Sequence, residues 1–155
     1  MTVQEKTVEL LIKKNYHIAF AESCTGGLCC GALVDVANAS SVLDMSFVTY
    51  ANEAKIKLLG VSEKTVKEFG VVSREVAREM AKGVAEKANS EVGVGITGIA
   101  GPTGGTAEKP VGMVCFGFCI NGKTVTETKF FGNIGRNEVR RKSVEFVYKK
   151  LLSLI

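Results

Sequence analysis

The apolar run His17-Ile18-Ala19-Phe20 passes through Ala21-Glu22-Ser23-Cys24-Thr25-Gly26-Gly27 into Leu28-Cys29-Cys30-Gly31-Ala32-Leu33-Val34. The first segment reads as a short buried strand and the last as the opening of a helix. A strand that becomes a helix through Ser, Thr and two glycines leaves unpaired N–H groups at the positive end of a helix dipole. An anion or oxyanion can sit there. The same turn holds a hydroxyl at the carboxyl end of a strand, where open α/β sheets keep their ligands. A lone serine at such a turn also serves well as a helix cap, so Ser23 and Thr25 acquire meaning only from what lies beside them.

The rest of the chain alternates in the same way. Val8, Leu10, Leu11 and Ile12 among charges predict an amphipathic helix over 3–14. After the Ser23 turn, Leu28, Cys29, Ala32, Leu33 and Val36 form a core stripe, with Gly27 and Gly31 one turn apart to let the helix approach the sheet. Asn38 to Ser41 reads as a loop and Met45 to Ala51 as a strand. Asn52 then looks like an N-cap and Gly60 a helix stop, with Ser62 and Ser73 as further caps. From Ser73 to Ala88, Val76, Ala77, Met80, Ala81, Val84 and Ala85 share one helical face. Strand 91–98 has one face stripped of bulk by Gly93 and Gly95, which predicts close approach by a helix or a ligand. A glycine-rich loop spans 99–110, and Val111 to Ile120 reads as a central strand. Asn121-Gly122 marks a hairpin to an edge strand over 123–131, and a helix runs from about Asn137 to Leu154. The pattern predicts one α/β domain over 1–155: a three-layer α/β/α sandwich with a mixed, mostly parallel sheet and one C-terminal β-hairpin.

Several function classes drop out. No apolar run approaches ~18 residues, and the first 14 residues are too charged for a signal peptide, so a cytoplasmic chain without a membrane partner is expected. Five cysteines, with no Cys-x-x-Cys pair, fit reduced core thiols better than a disulfide framework or a zinc site. The net charge of +4 is mild, and the basic C-terminal helix reads as a solvated face rather than a nucleic-acid surface. His17 is the single histidine and stands at the start of its strand, so neither a Ser-His-Asp triad nor a multi-histidine metal site is expected. The glycine loop lacks the Gly-Lys-Ser/Thr ending of a P-loop, and Gly93 and Gly95 do not extend to a dinucleotide fingerprint. No metal and no cofactor are expected.

Three polar stretches follow strand ends: Ser23 to Gly27, Tyr50 to Lys55, and Thr97 to Gly105. If their strands are parallel neighbours, all three meet at one sheet edge. Without a suitable histidine, a nucleophilic serine needs a lysine or carboxylate as base. Lys55 sits in the first turn of a helix, where dipole and burial both disfavour the ammonium. Tyr50 could relay a proton, and Glu22 could be a site group or a capping partner. Arg136 and Arg140, near a helix start that disfavours cations, make sense if they hold an anion.

Ala21-Glu22-Ser23-Cys24-Thr25-Gly26-Gly27, Phe47 to Lys55, Thr97-Gly98-Ile99-Ala100-Gly101-Pro102 and Glu108-Lys109-Pro110-Val111-Gly112 together resemble the CinA C-terminal domain family, in order and over nearly the whole chain. Its enzymatic members are nicotinamide-nucleotide amidohydrolases (NMN deamidases). The resemblance implies metal-independent hydrolysis of the carboxamide of nicotinamide mononucleotide to nicotinic acid mononucleotide and ammonia. It implies Ser23 as nucleophile, Lys55 as base and Tyr50 as a relay or orienting group. Substrate contacts are expected from Glu22, Thr25, Gly26, Gly27, Ser40, Thr97, Gly98 and Gly101, and from Arg136 or Arg140. The family's usual Gly-Asp-Arg appears here as Gly132-Asn133-Ile134-Gly135-Arg136, which leaves the choice of arginine open. The resemblance further implies the stand-alone form of the domain, a small pyridine nucleotide as partner and a homo-oligomer. The alternative reading is a non-catalytic nucleotide-binding or regulatory module of the competence/damage-inducible type.

Overall fold

The first helix, α1 (Val3–Lys14), is fixed at both ends by its own sequence. The Thr2 side chain accepts from the Glu5 N–H while the Glu5 carboxylate receives the Thr2 N–H, and Asn15 closes the helix in the left-handed conformation. The computed structural model describes residues 1–155, and after α1 come β1 (Ile18–Glu22), α2 (Leu28–Val34), a 3₁₀ turn (Ala39–Ser41) and β2 (Phe47–Val48). Then follow α3 (Asn52–Leu59), α4 (Glu63–Phe69), α5 (Arg74–Ala88), β3 (Val92–Gly98), β4 (Met113–Ile120), β5 (Lys123–Phe130) and α6 (Arg136–Leu154).

The strands form one sheet in the order β2-β1-β3-β4-β5. β1 runs parallel to both β2 and β3, β4 is antiparallel to β3, and β5 is antiparallel to β4, so β4 alone runs against the rest. This is the mixed sheet with a C-terminal hairpin that the sequence predicts, and the hairpin turns at Asn121, which adopts a positive φ, and Gly122.

Residue size decides which helices cover which face. Ile18, Phe20, Val92, Val94, Ile96, Val114, Phe116 and Phe118 point to one side and pack with Val8, Leu11, Leu33, Val139, Val147, Tyr148 and Leu151 from α1, α2 and α6. Each large side chain buried there contributes about 1.5–3 kcal/mol. The opposite face carries Ala19 and Ala21, packed with Val76, Met80 and Val84 of α5 and Leu59 of α3. A Cβ placed on Gly93 would lie 2.2 Å from the Ala81 carbonyl oxygen, and one on Gly117 2.2 Å from that of Ala77. The bare glycine stripe is therefore the seat of α5, a helix rather than a ligand.

Four local expectations are corrected. The strand expected over 45–51 is only Phe47–Val48, because β2 is an edge strand whose register with β1 covers just Ala21 and Glu22. Asn52 is the first helical residue; Ala51 holds the cap position without a side-chain bond. Residues 39–41 form a 3₁₀ turn inside the expected loop. In α2 only Cys29 and Leu33 are buried, and Gly31 faces open space, where a Cβ would meet nothing within 4 Å; the close approach to the sheet belongs to the glycines of β3 and β4.

Other expectations hold. Gly60 ends α3 in the left-handed conformation, and the Ser73 hydroxyl caps α5 by accepting from the Val76 N–H. All five cysteines are free thiols, four of them buried. On α6, Lys149 and Arg141 pair with Glu145, and Lys150 pairs with Glu127 of β5. No helix is long and apolar enough to cross a membrane.

Candidate active site

Parallel pairing of β2, β1 and β3 brings their carboxyl ends, Val48, Glu22 and Gly98, to one edge of the sheet. The Thr49 N–H donates to the Glu22 carbonyl and the Ser23 N–H to that of Ile96, which extends the ladders one step before the chains diverge. The gap left behind is a pocket of about 170 Å³ lined by Ser23, Cys24, Tyr50, Lys55, Thr97 and Gly98, among others. A second hollow of about 210 Å³ shares Cys24, Tyr50 and Gly98 with it and extends along Ile99 to Gly104 as far as Arg136. A larger cavity, about 770 Å³, lies elsewhere, between α1, α2 and α6. Its cations Arg141 and Lys149 are both ion-paired to Glu145.

Lys55 is only 1 % exposed. Its Nζ lies 3.0 Å from Ser23 Oγ, 2.7 Å from the Thr49 carbonyl oxygen and 3.1 Å from that of Tyr50. No carboxylate pairs with it. Burial disfavours the ammonium and pushes its pKa down from the usual 10.5 to about 8. The three contacts suit both charge states. An ammonium donates to all three oxygens. A neutral amine has two N–H groups and one lone pair. Carbonyls can only accept, so they take the two N–H groups, and the lone pair is left facing the Ser23 hydroxyl.

The turn after Ser23 has its backbone donors sorted in advance. The Gly26 N–H closes on the Ser23 carbonyl and the Leu28 N–H on that of Thr25. Both oxygens of the buried Glu22 carboxylate accept from the first turn of α2, from the N–H groups of Cys29 and Cys30 at 2.9 Å each. Glu22 is therefore the cap that sets the helix on the turn. The N–H groups of Cys24, Thr25 and Gly27 bond to no protein group. Gly26 and Gly27 hold φ of 59° and 102°, which permit this tight turn.

Four expected residues take other places. Ser40 sits in the exposed 3₁₀ turn next to Val42 and Leu43, which join β1 at Ile18. That is the amino end of β1: α2 carries the chain back across the sheet, away from Ser23. Thr25 is fully buried, and its carbonyl faces α6, where it accepts from Arg140. Thr97, Gly98, Gly101 and Arg136 line the two hollows as expected, whereas Glu22 and Arg140, also expected to contact substrate, bond to backbone instead. Thr97 lines the pocket, and its hydroxyl donates to the Val71 carbonyl at 2.9 Å, tying the 70–73 segment to β3. At the mouth, Arg136 donates to the Tyr50 hydroxyl at 2.9 Å and to the Gly101 carbonyl at 2.8 Å. Arg140 donates instead to the carbonyls of Cys24 and Thr25. Sequence reasoning missed the Thr49 and Tyr50 carbonyls that hold Lys55, since a backbone acceptor has no side-chain signature.

Fold and site together define a three-layer α/β protein with a buried serine–lysine pair at the carboxyl edge of its sheet. The chain belongs to the CinA C-terminal domain family, which matches residues 1–155. It is 46% identical over 158 residues to the CinA-like protein of Kosmotoga olearia, a match covering 99% of this chain and 38% of that relative. The chain thus spans little more than a third of that longer protein. Among solved structures it resembles the competence/damage inducible protein CihA from Agrobacterium tumefaciens, at 40% identity and a TM-score of 0.92, covering 99% of this chain and 96% of that one. A competence-damaged protein (CinA) superfamily protein from Escherichia coli gives 34% identity and a TM-score of 0.95, over 99% and 88% of the two chains.

Proposed function

We propose that this domain hydrolyses the carboxamide of nicotinamide mononucleotide to nicotinic acid mononucleotide and ammonia, without metal or cofactor. The observation that carries the chemistry is the carboxylate-free contact between Lys55 Nζ and Ser23 Oγ at 3.0 Å. The choice of substrate rests on the family resemblance, and so does a homo-oligomeric assembly; a cytoplasmic setting is proposed from the composition of the sequence.

Ser23 Oγ attacks the carboxamide carbon while neutral Lys55 takes the hydroxyl proton. The oxyanion so formed is held by N–H groups of the Cys24–Gly27 turn. Collapse of the tetrahedral intermediate breaks the C–N bond, and the proton on Lys55 passes to the departing nitrogen, which leaves as ammonia. Water then attacks the Ser23 ester, giving a proton to Lys55. When the ester C–O bond breaks, that proton returns to Ser23 Oγ and the product acid is released. Arg136, at the rim beside Tyr50, supplies a cation for the substrate phosphate.

Incubation with nicotinamide mononucleotide, followed by ammonia determination, tests this reading. Ammonia from the parent protein and none from Ser23→Ala is the expected result. Saturable nucleotide binding without ammonia would assign the domain to a binding or regulatory role instead.

A further inference from the structure

The two arginines that open α6 do different work. Arg136 reaches the pocket rim, but Arg140 turns its guanidinium onto the backbone of the Ser23 turn. Its Nε donates to the Cys24 carbonyl at 2.9 Å, its Nη2 to the Thr25 carbonyl at 3.2 Å, and its Nη1 to Asn137 Oδ1 at 3.1 Å. A Cβ placed on Gly26 would lie 3.3 Å from Nη2, so the cation rests over that glycine. It is half-buried and forms no ion pair with any carboxylate; its partners are neutral oxygens alone. A partly desolvated cation held by carbonyls is not explained by charge pairing.

The peptide connectivity supplies an explanation. The Cys24 carbonyl and the Thr25 N–H belong to one peptide unit. Arg140 Nε bonds its oxygen, and its N–H is bonded to no protein group. A second path starts at Nη2. It bonds the Thr25 carbonyl, whose peptide unit carries the Gly26 N–H; that N–H donates to the Ser23 carbonyl at 3.0 Å. The Ser23 carbonyl in turn shares its peptide unit with the Cys24 N–H, which bonds to no protein group. Two chains of polarised peptides therefore begin at one guanidinium and end at two unengaged donors beside the nucleophile. Bonds in such chains strengthen one another by roughly 10–30% each. The donor that follows a nucleophilic serine is the usual first member of an oxyanion hole.

We propose that Arg140 is a positioning residue that acts through these peptide units, setting the turn and strengthening the Cys24 and Thr25 N–H groups as oxyanion donors. It does so without touching substrate. The proposal rests on the amidohydrolase reading for its catalytic consequence but not for the electrostatic relay itself, and the two are separable by experiment.

The test uses Arg140→Gln and Arg140→Lys in the full chain, each checked for folding by its melting temperature. In ¹H–¹⁵N spectra the amide protons of Cys24 and Thr25 should move upfield in Arg140→Gln. Gly27 should move less, since its N–H ends neither chain. In turnover with nicotinamide mononucleotide, Arg140→Gln should lose about tenfold in kcat, a fraction of the ~10²–10³ that follows outright removal of an oxyanion donor. KM and the pH limb should stay near those of the parent, and Arg140→Lys should recover part of the loss. If Arg140→Gln does not fold, Arg140→Lys decides: an ammonium can replace only part of the two-carbonyl grip, so at least one of the two amides should shift. A rise in KM at constant kcat would make Arg140 a substrate contact and overturn the proposal. Unshifted Cys24 and Thr25 amides in a folded variant would also overturn it. Absence of ammonia from the parent protein would sink the amidohydrolase reading, and the amide shifts would then decide the relay alone.

Discussion

Lys55 Nζ stands 3.0 Å from Ser23 Oγ, and its other two partners are backbone carbonyls, with no carboxylate in the set. A lysine so placed is stabilised as an ammonium by neutral acceptors only, and burial works against that charge. With a pKa of about 8 it is about one-tenth neutral at pH 7. That is a workable population of base for a hydroxyl it already touches.

Ser23→Ala deletes an oxygen whose only side-chain partner is Lys55. Turnover should vanish while stability changes by less than about 1 kcal/mol, the loss expected if the serine were instead an N-cap. The helix is capped by Glu22, so the melting temperature should barely move, whereas Glu22→Gln should lower it. Thermal melts of both variants beside an ammonia assay distinguish the two roles.

Tyr50 and Arg136 meet at the rim, with Tyr50 60 % exposed. If they hold the substrate's anion, Arg136→Gln should raise KM for nicotinamide mononucleotide about tenfold or more, the loss of one charge-assisted contact of about 1.5–3 kcal/mol. kcat should change much less. Tyr50→Phe should raise KM by a smaller factor, because it removes only the hydroxyl that steadies the guanidinium. Steady-state kinetics at fixed pH checks the order.

The glycines divide into those the fold needs and those it does not. A Cβ on Gly95 would lie 2.6 Å from the Ala77 carbonyl oxygen, a backbone atom that cannot step aside. Gly95→Ala should cost roughly 1–3 kcal/mol by overpacking. Gly31, inside α2 with open space beside it, should behave oppositely. Gly31→Ala should stabilise by about 0.5–1 kcal/mol. Denaturant midpoints for the two variants give both signs in one experiment.

Much of this arrangement is legible in the sequence, for reasons that lie in local chemistry. The strand–turn–helix at Ser23, the hairpin at Asn121-Gly122 and the apolar face of α5 are short-range patterns, and they appear where expected. The meeting of Ser23, Lys55 and Thr97 is legible because parallel neighbours put their carboxyl ends together. What is not legible is direction. Ser40 is a polar residue of the right kind, yet α2 carries it to the far end of β1. Glu22 and Arg140 turn from substrate towards backbone, a choice set by tertiary contacts 7 and 116 residues away in sequence. Residue type alone cannot tell a cap or a brace from a ligand.

Stability should respond to pH with opposite signs from Lys55 and from the buried thiols. The unfolded lysine holds its proton up to pH 10.5, whereas the folded one releases it near 8. Between those values the unfolded state binds more protons, so the cost of burying Lys55 is relieved as pH rises. Burial pushes the Cys24 thiol up from 9.0 to about 12, so above pH 9 the folded state keeps a proton that the unfolded state releases, and stability falls. Lys55→Met shares the thiols but not the lysine. Relative to that variant, the parent should gain about 2 kcal/mol between pH 7 and 9.5, read from urea unfolding at each pH.

The central claim is that Lys55 serves Ser23 as a neutral base, and the pH dependence of kcat tests it most directly. Ammonia release from nicotinamide mononucleotide by the parent protein should rise with pH along a single limb and level off above about pH 8, following the lysine. His17, paired with Asp44 at the amino end of β1, is too remote to supply that limb. Lys55→Arg keeps the charge but cannot deprotonate, so it should be nearly inactive at every pH; Lys57→Arg, on the same helix, should trace the parent curve. A Lys55→Arg protein that retains most of its turnover, or that shows the same limb, would contradict the account.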